Sequence, residues 1–139
     1  MIIYSVEKVG LLLDVTRGIA GTGIKNASFL LAFLTWISVF FSAFIDNVPY
    51  TLLMIPVCEN LADWMGHSAW PFLYGMLVGT GIGGNITPVG ATANVFACGL
   101  LEKQGYKVSF KEYAKISLPF SLVAVATAHI LLQLIWLRI

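Results

Sequence analysis

The sequence predicts an all-α polytopic membrane protein, and its composition and charge pattern predict that class. Hydrophobic residues make up 58% of the 139-residue chain and charged residues only 11%, whereas soluble domains carry about a quarter charged residues. No Asp, Glu, Lys or Arg occurs from Trp64 to Leu101. In lipid, a helix is the simplest structure that satisfies all of its backbone hydrogen bonds internally. The net charge of +1 and the scattered basic residues exclude nucleic acid as a partner.

Residues 1–24 are predicted to form an amphipathic helix or the end of a longer spanning helix. Their charged residues follow a helical pattern, and the apolar residues between them can share one face. These apolar residues are Val6, Val9, Leu12, Leu13 and Ile19. Gly21, Thr22 and Gly23 are then expected to end the helix.

Residues 28–60 are predicted to form two helical arms around a polar tip at 46–49. The first arm carries no charge over the twenty positions 26–45, which is about 30 Å of helix. In one interpretation this arm spans the bilayer and the tip is an interfacial turn. In the other, the arms form a re-entrant hairpin whose polar tip, Asp46 to Thr51, lies at membrane depth. The short second arm, Tyr50 to Cys58, favours the re-entrant hairpin.

Residues 71–101 are predicted to form a broken transmembrane helix with half-helices at 71–83 and 91–101. Between them, Pro88 lacks a backbone donor and the glycines disfavour a helix. Non-helical backbone at membrane depth is tolerated where protein buries it or where it lines a polar cavity, so the break is a candidate site. Three glycines before it have the small-xxx-small spacing of closely packed helices: Gly75, Gly79 and Gly83.

The rest of the chain is predicted to contain two loops and one further spanning helix. Residues 59–70 are expected to be a loop or interfacial segment, and the lysine-rich residues 102–115 a cytoplasmic loop. The 22 residues 116–137 carry no charge and span about 33 Å as a helix. Pro119 is placed near the start of this helix, where a proline is tolerated.

Polar side chains in the two interruptions form the candidate ion site. A carboxylate at the bilayer centre costs about 2.5–3.5 kcal/mol, so Asp46 is interpreted either as a group that binds a cation or a proton, or as an interfacial turn residue. Without a cation, desolvation is expected to raise the pKa of this carboxyl. Asn and Thr would supply neutral oxygens or interhelical hydrogen bonds. The candidate binding residues are Asp46, Asn47, Thr51, Asn85, Thr87, Thr92 and Asn94, and the residues that hold the break open are Gly84, Pro88 and Gly90.

Two segments carry a family resemblance: SAFIDNVPYTLLMIPV at 42–57 and GGNITPVGATANVFACGLLEKQGYKVSF at 83–110. They resemble the C-terminal half of the ArsB/NhaD permeases. That family belongs to the ion-transporter superfamily with the citrate and dicarboxylate carriers, and includes arsenite efflux pumps, Na⁺/H⁺ antiporters and the melanosomal P protein. The resemblance covers nearly the whole chain. In one departure, Ile86 replaces a small residue of the family's GGNGT pattern, which weakens any transfer of substrate identity.

The resemblance implies a fold of two inverted repeats, each with a re-entrant hairpin and a broken helix. Substrate and ions would bind between the hairpin tip at 42–51 and the break at 84–94. The hairpin would enter from outside, which places 102–115 in the cytoplasm. The Asp-Asn-Val-Pro tip is similar to that of the Na⁺/H⁺ antiporter and P-protein branch, which implies Na⁺ or H⁺ as the coupling ion and no other cofactor or metal.

The predicted function is part of a secondary active ion transporter in the cell membrane that works by alternating access. Na⁺/H⁺ antiport or related anion or arsenite transport is favoured. The alternative is a truncated, non-transporting remnant or packing subunit of a membrane complex, which the short start at Met1 favours. An enzyme is not expected, because no metalloprotease motif or nucleophile elbow is present. The expected partners are a small inorganic ion or anion, the lipid bilayer, an N-terminal half that is missing or separately encoded, and a second copy in a homodimer.

Overall fold

The computed structural model describes residues 11–21 and 26–136. Within these ranges the chain forms helices and no strand, which confirms the all-α prediction. The helices are α1 (Leu11–Gly21), α2 (Ala27–Ser42), α3 (Asn47–Met65), α4 (Trp70–Gly83), α5 (Thr92–Lys103) and α6 (Phe110–Trp136). The predicted helix over 1–24 is therefore seen only as α1; Val6, Val9, Thr22, Gly23 and position 137 lie outside the described residues.

A short turn joins α2 to α3, and a polar side chain caps the start of each helix. The Asn26 side chain accepts a hydrogen bond from the Ser28 amide at 2.9 Å. The Asp46 carboxylate accepts one from the Val48 amide at 3.3 Å. Both bonds satisfy amides that have no partner inside the helix. The predicted order of helix, polar turn and helix is present, and the re-entry of this pair into a membrane stays a prediction.

Helix α3 is longer than the predicted second arm, so the loop predicted at 59–70 is wrong over its first seven residues. The reason is that Glu59 and Asp63 lie on the exposed face while the apolar residues between them are buried. Gly66 then ends the helix in a left-handed conformation at φ 68°. With 19 residues, α3 extends about 28 Å. The second arm is therefore not short, and its length does not favour a re-entrant hairpin. The buried face contains Val57, Cys58, Leu61 and Ala62.

Helix α4 packs against α2 through the three glycines of the small-xxx-small pattern, as predicted. A Cβ on Gly79 would lie 2.2 Å from the Thr35 carbonyl oxygen, and one on Gly83 would lie 2.6 Å from Val39 Cα. A Cβ on Gly75 would meet the Leu31 and Thr35 side chains. The two backbones are therefore too close for any side chain between them.

The hydrophobic core lies between α2, α3 and α4, beside this glycine contact. Its side chains come from all three helices and are almost fully removed from solvent. Helix α1 packs against α3, and α6 packs mainly against α4. Helix α5 has no buried residue in this structure. The core residues are Leu30, Leu31, Leu34, Tyr50, Val57, Cys58, Leu61, Ala62, Phe72 and Met76.

In the part of the chain that the structure describes, α6 alone is long and apolar enough to cross a membrane, and α2 is apolar but shorter. Helix α6 begins at Phe110, so the loop predicted at 102–115 is wrong over its last six residues. A backbone hydrogen bond from the Tyr113 amide to the Ser109 carbonyl at 3.0 Å belongs to the added first turns. Pro119 consequently lies inside the helix rather than near its start, at the loss of one backbone hydrogen bond. Gly105 lies in a turn after α5, with φ 90°.

Candidate functional site

The predicted break between α4 and α5 is present, and its non-helical backbone runs from Gly84 to Ala91. Pro88 and Gly90 lie within it, while Thr92 and Asn94 belong to the first turn of α5. Every residue of the break has negative φ, since the described residues with positive φ are elsewhere. The glycines are therefore not needed here for a left-handed backbone.

Gly90 is needed because the break packs directly against the turn between α2 and α3. A Cβ on Gly90 would lie 2.6 Å from the Gly84 carbonyl oxygen, 2.8 Å from that of Ala43 and 2.9 Å from that of Ser42. Three carbonyl oxygens from two separate segments thus converge on one glycine. The Thr87 hydroxyl, which is buried, donates to the Ala43 carbonyl and adds a second connection. Instead of holding the break open, Gly90 lets the break close onto the turn.

Asp46 connects the starts of two helices at this contact. Its Oδ1 accepts from the Val48 amide at the start of α3, and its Oδ2 accepts from the Thr92 hydroxyl at 2.5 Å at the start of α5. Helix N-termini carry a partial positive charge that favours a carboxylate. The side chain lies in the turn, outside the helices, and is exposed.

The pKa of the Asp46 carboxyl is lowered below its ordinary value. The hydrogen bond from the Thr92 hydroxyl is the main cause, and the bond from the Val48 amide adds to it. Both bonds are made to the charged form, which they favour. Desolvation acts to raise this pKa, as expected, but the hydrogen bonds outweigh it, so the net shift is opposite to the expectation.

Asn47 lies against the other side of the break. A Cβ on Gly84 would be 2.6 Å from Asn47 Oδ1, so the absence of a side chain at Gly84 makes room for this amide. The Ser42 hydroxyl lies 2.5 Å from the same Oδ1 and 2.7 Å from the Thr80 carbonyl oxygen in the last turns of α4. Ser42 and Asn47 therefore join the end of α2, the start of α3 and the end of α4.

Asn94 holds the two halves of the break together. Its Nδ2 donates to the Gly84 carbonyl at 2.9 Å and to the Thr87 carbonyl at 3.2 Å. The structure does not bring the last two predicted residues into this arrangement. The Asn85 side chain is exposed, the Thr51 side chain is half-buried on α3, and neither makes a side-chain hydrogen bond with the described residues.

Sequence reasoning missed a row of hydroxyl groups that leads from the site into the core. The Tyr50 hydroxyl donates to Ser38 Oγ at 3.0 Å, and the Ser38 hydroxyl donates to the Leu34 carbonyl at 2.6 Å. Ser38 and Ser42 are one helical turn apart on α2, next to the glycines of α4. This four-residue spacing of small polar residues within an apolar helix is a signal that the sequence contains.

Helix α6 contributes polar contacts that the sequence reading also passed over. The Ser117 hydroxyl donates to the Ile86 carbonyl in the break at 2.8 Å. Farther along, Gln133 Nε2 donates to the Ser28 carbonyl at 3.2 Å and lies 3.0 Å from His129 Nε2. The absence of charge predicts the helix but gives no signal for its uncharged Ser, Gln and His residues.

The site combines one carboxylate with several neutral oxygens. Carbonyl oxygens of α2, of its turn and of the break surround Gly90, and hydroxyl and amide groups lie beside them. Among the residues that the structure describes, no three His, Cys, Asp or Glu side chains are grouped to hold a metal ion. Such a donor set suits a weakly charged species such as an alkali ion or a proton.

This chain is similar to a known protein family and to several transporters and membrane proteins. The family model described as citrate transporter matches residues 1–138. The human P protein is 38% identical over 96 residues, which cover 68% of this chain and 12% of that protein. An uncharacterized transporter of Mycobacterium tuberculosis is 30% identical over 146 residues, covering 99% of this chain and 32% of the relative. A 46 kDa membrane protein of Mycobacterium leprae is 32% identical over 73% of this chain and 24% of its own length. No solved structure matches. The chain thus spans between about an eighth and about a third of the length of each of these relatives.

Proposed function

The chain belongs to the citrate transporter family, and from this premise we propose that it forms one repeat of a secondary active ion transporter. The resemblance to the ion-transporter superfamily is confirmed by the family match, and a transporter rather than an enzyme is the class that the relatives' names indicate. Assignment to the ArsB/NhaD branch stays a prediction. The proposal concerns the activity that this chain has together with the remainder of a full-length transporter.

One observation carries the proposal: the two polar interruptions of the chain, forty residues apart, form a single contact. The Thr92 hydroxyl donates to Asp46 Oδ2 at 2.5 Å, and Gly90 closes onto the carbonyls of Ser42 and Ala43. Irregular backbone and a carboxylate are both costly in a membrane unless they serve each other or a ligand. Their juxtaposition supports an ion site at the helix ends.

The helix ends around this contact carry partial charges of opposite sign. Asp46 lies at the positive N-terminal ends of α3 and α5 and neutralises them. The C-terminal ends of α2 and α4 direct carbonyl oxygens at Gly90, two residues before Thr92, and such ends coordinate Na⁺ in transporters with discontinuous helices. We therefore assign cation coupling to this site, with the Asp46 carboxylate as the charged ligand and Thr92 as its positioning residue.

The low pKa of Asp46 bears on which ion is coupled. In this conformation the carboxylate is ionised at neutral pH, which favours a bound cation over a bound proton. For Na⁺/H⁺ antiport, its pKa must rise when the site becomes occluded and desolvated in another state of the cycle. The Asp46–Thr92 bond would break in that state. Related anion or arsenite transport would use the same site for the coupling cation.

The test is ion exchange by proteoliposomes that contain the full-length transporter. Na⁺/H⁺ exchange is followed with a pH-sensitive dye, and citrate and arsenite uptake with labelled substrate. Asp46→Asn is expected to reduce Na⁺-dependent transport at least tenfold, because it removes the charged ligand but keeps a good helix cap. Glu59→Gln is the matched control, since it removes an exposed carboxylate of α3 that lies away from the site.

Two outcomes would contradict the proposal. Equal transport by Asp46→Asn and Glu59→Gln would remove Asp46 from the ion site. Complete absence of exchange and uptake by the unsubstituted protein would favour the non-transporting remnant or packing subunit instead. The same transport measurement on Thr92→Val is a second test of the site. Thr127→Val is its control, because among the described residues the Thr127 hydroxyl donates to the carbonyl of Val123 in its own helix.

A further inference from the structure

A pocket outside the ion site lies where α5 ends and α6 begins. It has a volume of about 300 Å³, which is at the small end of the range for ligand sites. Leu101, Val108 and Ile116 form an apolar wall, and Tyr106 and Tyr113 stand beside it. Neither the predicted nor the proposed transport function uses this pocket.

The charges around this pocket are unequal. Lys107 lines it, and three further lysines lie within the same segment at positions 103, 111 and 115. The acidic side chains here are Glu112, which lines the pocket, and Glu102. Four lysines against two glutamates leave an excess of positive charge. The first turn of α6 carries the partial positive charge of a helix N-terminus, which Glu112 in the same turn partly offsets. The pocket is therefore suited to an anionic group.

The pocket also opens onto a surface that fits hydrocarbon. Ile116 belongs both to the pocket and to α6, and its side chain is 76% exposed. Phe120 and Val123 follow at the i+4 and i+7 positions of the same helix and are 69% and 67% exposed, so the three share one helix face. Because α6 is the described helix that can cross a membrane, its polar start marks the level of the lipid headgroups.

We infer that this pocket binds an anionic phospholipid. The phosphate lies at Lys107 and the start of α6, the glycerol region occupies the pocket beside Tyr106 and Tyr113, and one acyl chain follows α6 over Ile116 and Phe120. Basic pockets at the ends of membrane helices are a recurring way of holding such headgroups, and tyrosines are frequent at this level of the bilayer. The inference rests on α6 crossing a bilayer and does not depend on the transported ion.

The test is lipid binding to the full-length protein in detergent, counted by native mass spectrometry during titration with phosphatidylglycerol or phosphatidylcholine. Phosphatidylglycerol is expected to bind with a preference that Lys107→Gln reduces about fivefold. Lys115→Gln is the matched control for charge, because Lys115 lies outside the pocket lining. Its preference for phosphatidylglycerol is expected to fall by less than twofold.

A second pair of variants tests the pocket without changing charge. Val108→Trp is expected to fill the apolar wall and to abolish the preference for phosphatidylglycerol, whereas Val95→Trp on the exposed surface of α5, outside the pocket lining, leaves it intact. Circular dichroism of each variant verifies folding, and Lys107→Gln remains decisive if Val108→Trp does not fold. Equal losses in Lys107→Gln and Lys115→Gln would indicate diffuse surface attraction and overturn the inference. Equal binding of the two lipids by the unsubstituted protein would overturn it as well.

Discussion

Asp46 shows how one side chain can serve local structure and a candidate site at once. It caps α3 through the Val48 amide and receives the Thr92 hydroxyl at the start of α5. Both bonds are made to the ionised carboxylate, so the residue is held charged without a salt bridge to any residue that the structure describes. Its negative charge is balanced by two helix N-termini, and this arrangement can be released when either helix moves.

At the residue scale, we predict a pH-dependent difference in stability between the unsubstituted protein and Asp46→Asn. Because the folded pKa of Asp46 is lowered, its stabilising contribution is fully present above the ordinary value of 3.8 and is lost as the pH falls through the lower folded value. The difference in unfolding temperature should be constant from about pH 5 to pH 8 and shrink below the ordinary pKa. Thermal unfolding in detergent, followed by circular dichroism, measures it.

Asp46→Ala separates the cap from the charge in the same experiment. Alanine is a poor helix cap and asparagine a good one, so Asp46→Ala should unfold at a lower temperature than Asp46→Asn at neutral pH. Equal unfolding temperatures for the two variants would show that the Val48 bond contributes nothing to stability. A difference between the unsubstituted protein and Asp46→Asn that grows on acidification would contradict the direction of the pKa shift.

At the scale of the elements, the contact between α2 and α4 determines where the break lies. Glycines on α4 lie against the backbone of α2 at Thr35 and Val39, and the carbonyl of Thr80 accepts a hydrogen bond from the Ser42 hydroxyl. Membrane helices associate through such close backbone contact because lipid provides no hydrophobic force between them. The end of α4 is thereby placed beside the turn that contains Asp46.

We predict that Gly79→Ala destabilises this pair of helices while Gly81→Ala does not. A Cβ on Gly79 would lie 2.2 Å from the Thr35 carbonyl oxygen, and backbone cannot rotate away, whereas nothing lies within 4 Å of a Cβ on Gly81. Gly79→Ala should lower the free energy of unfolding by about 1–3 kcal/mol. Gly81→Ala should raise it by up to about 1 kcal/mol through helix propensity.

Unfolding by increasing mole fractions of a denaturing detergent measures both variants. The two glycines are in one helix and two residues apart, so differences in membrane insertion affect them equally. Losses of similar size at both positions would mean that α4 tolerates alanine poorly for a reason other than contact with α2.

At the scale of the whole molecule, the apolar surfaces that remain exposed show where the chain meets lipid or other protein. Most of the spanning part of α6 is exposed, and α5 has no buried residue. The chain covers 32% of the mycobacterial transporter and 12% of the human P protein. A bilayer and the remainder of a transporter are the surroundings that we propose for these surfaces.

We predict that α4, the break and α5 together cross the membrane once. Cysteines that replace His67, before α4, and Gln104, after α5, should then react with an impermeant maleimide from opposite sides, with Gln104→Cys reacting from the cytoplasm. Both positions are exposed. Cys98→Ala provides the background, and Cys58 can remain because its side chain is 0% exposed. Labelling of both positions from one side would show that 70–103 forms a hairpin instead of a crossing.

Composition and order determine much of this protein without its tertiary structure. The low charge content predicts helices in a membrane, the Gly-Pro cluster predicts the break after Gly83, and the glycine spacing predicts close packing of α4. These features are local, because each depends on the backbone conformations and hydrogen bonds that a few neighbouring residues allow. Two boundaries were predicted wrongly: α3 continues past Glu59 because its apolar residues there are buried, and α6 begins at Phe110 instead of at 116.

The contact between the two interruptions is decided only by the tertiary structure. The apolar runs around them single out Asp46 and Thr92 as polar residues, and the family resemblance implied that their segments meet, but neither specified that one hydrogen bond joins them. The sequence also could not exclude Asn85 and Thr51 from the contact between the two interruptions, or include Ser42 in it. Which polar groups pair depends on how α2 and α4 approach, and the glycine contact that sets this approach joins residues far apart in the chain.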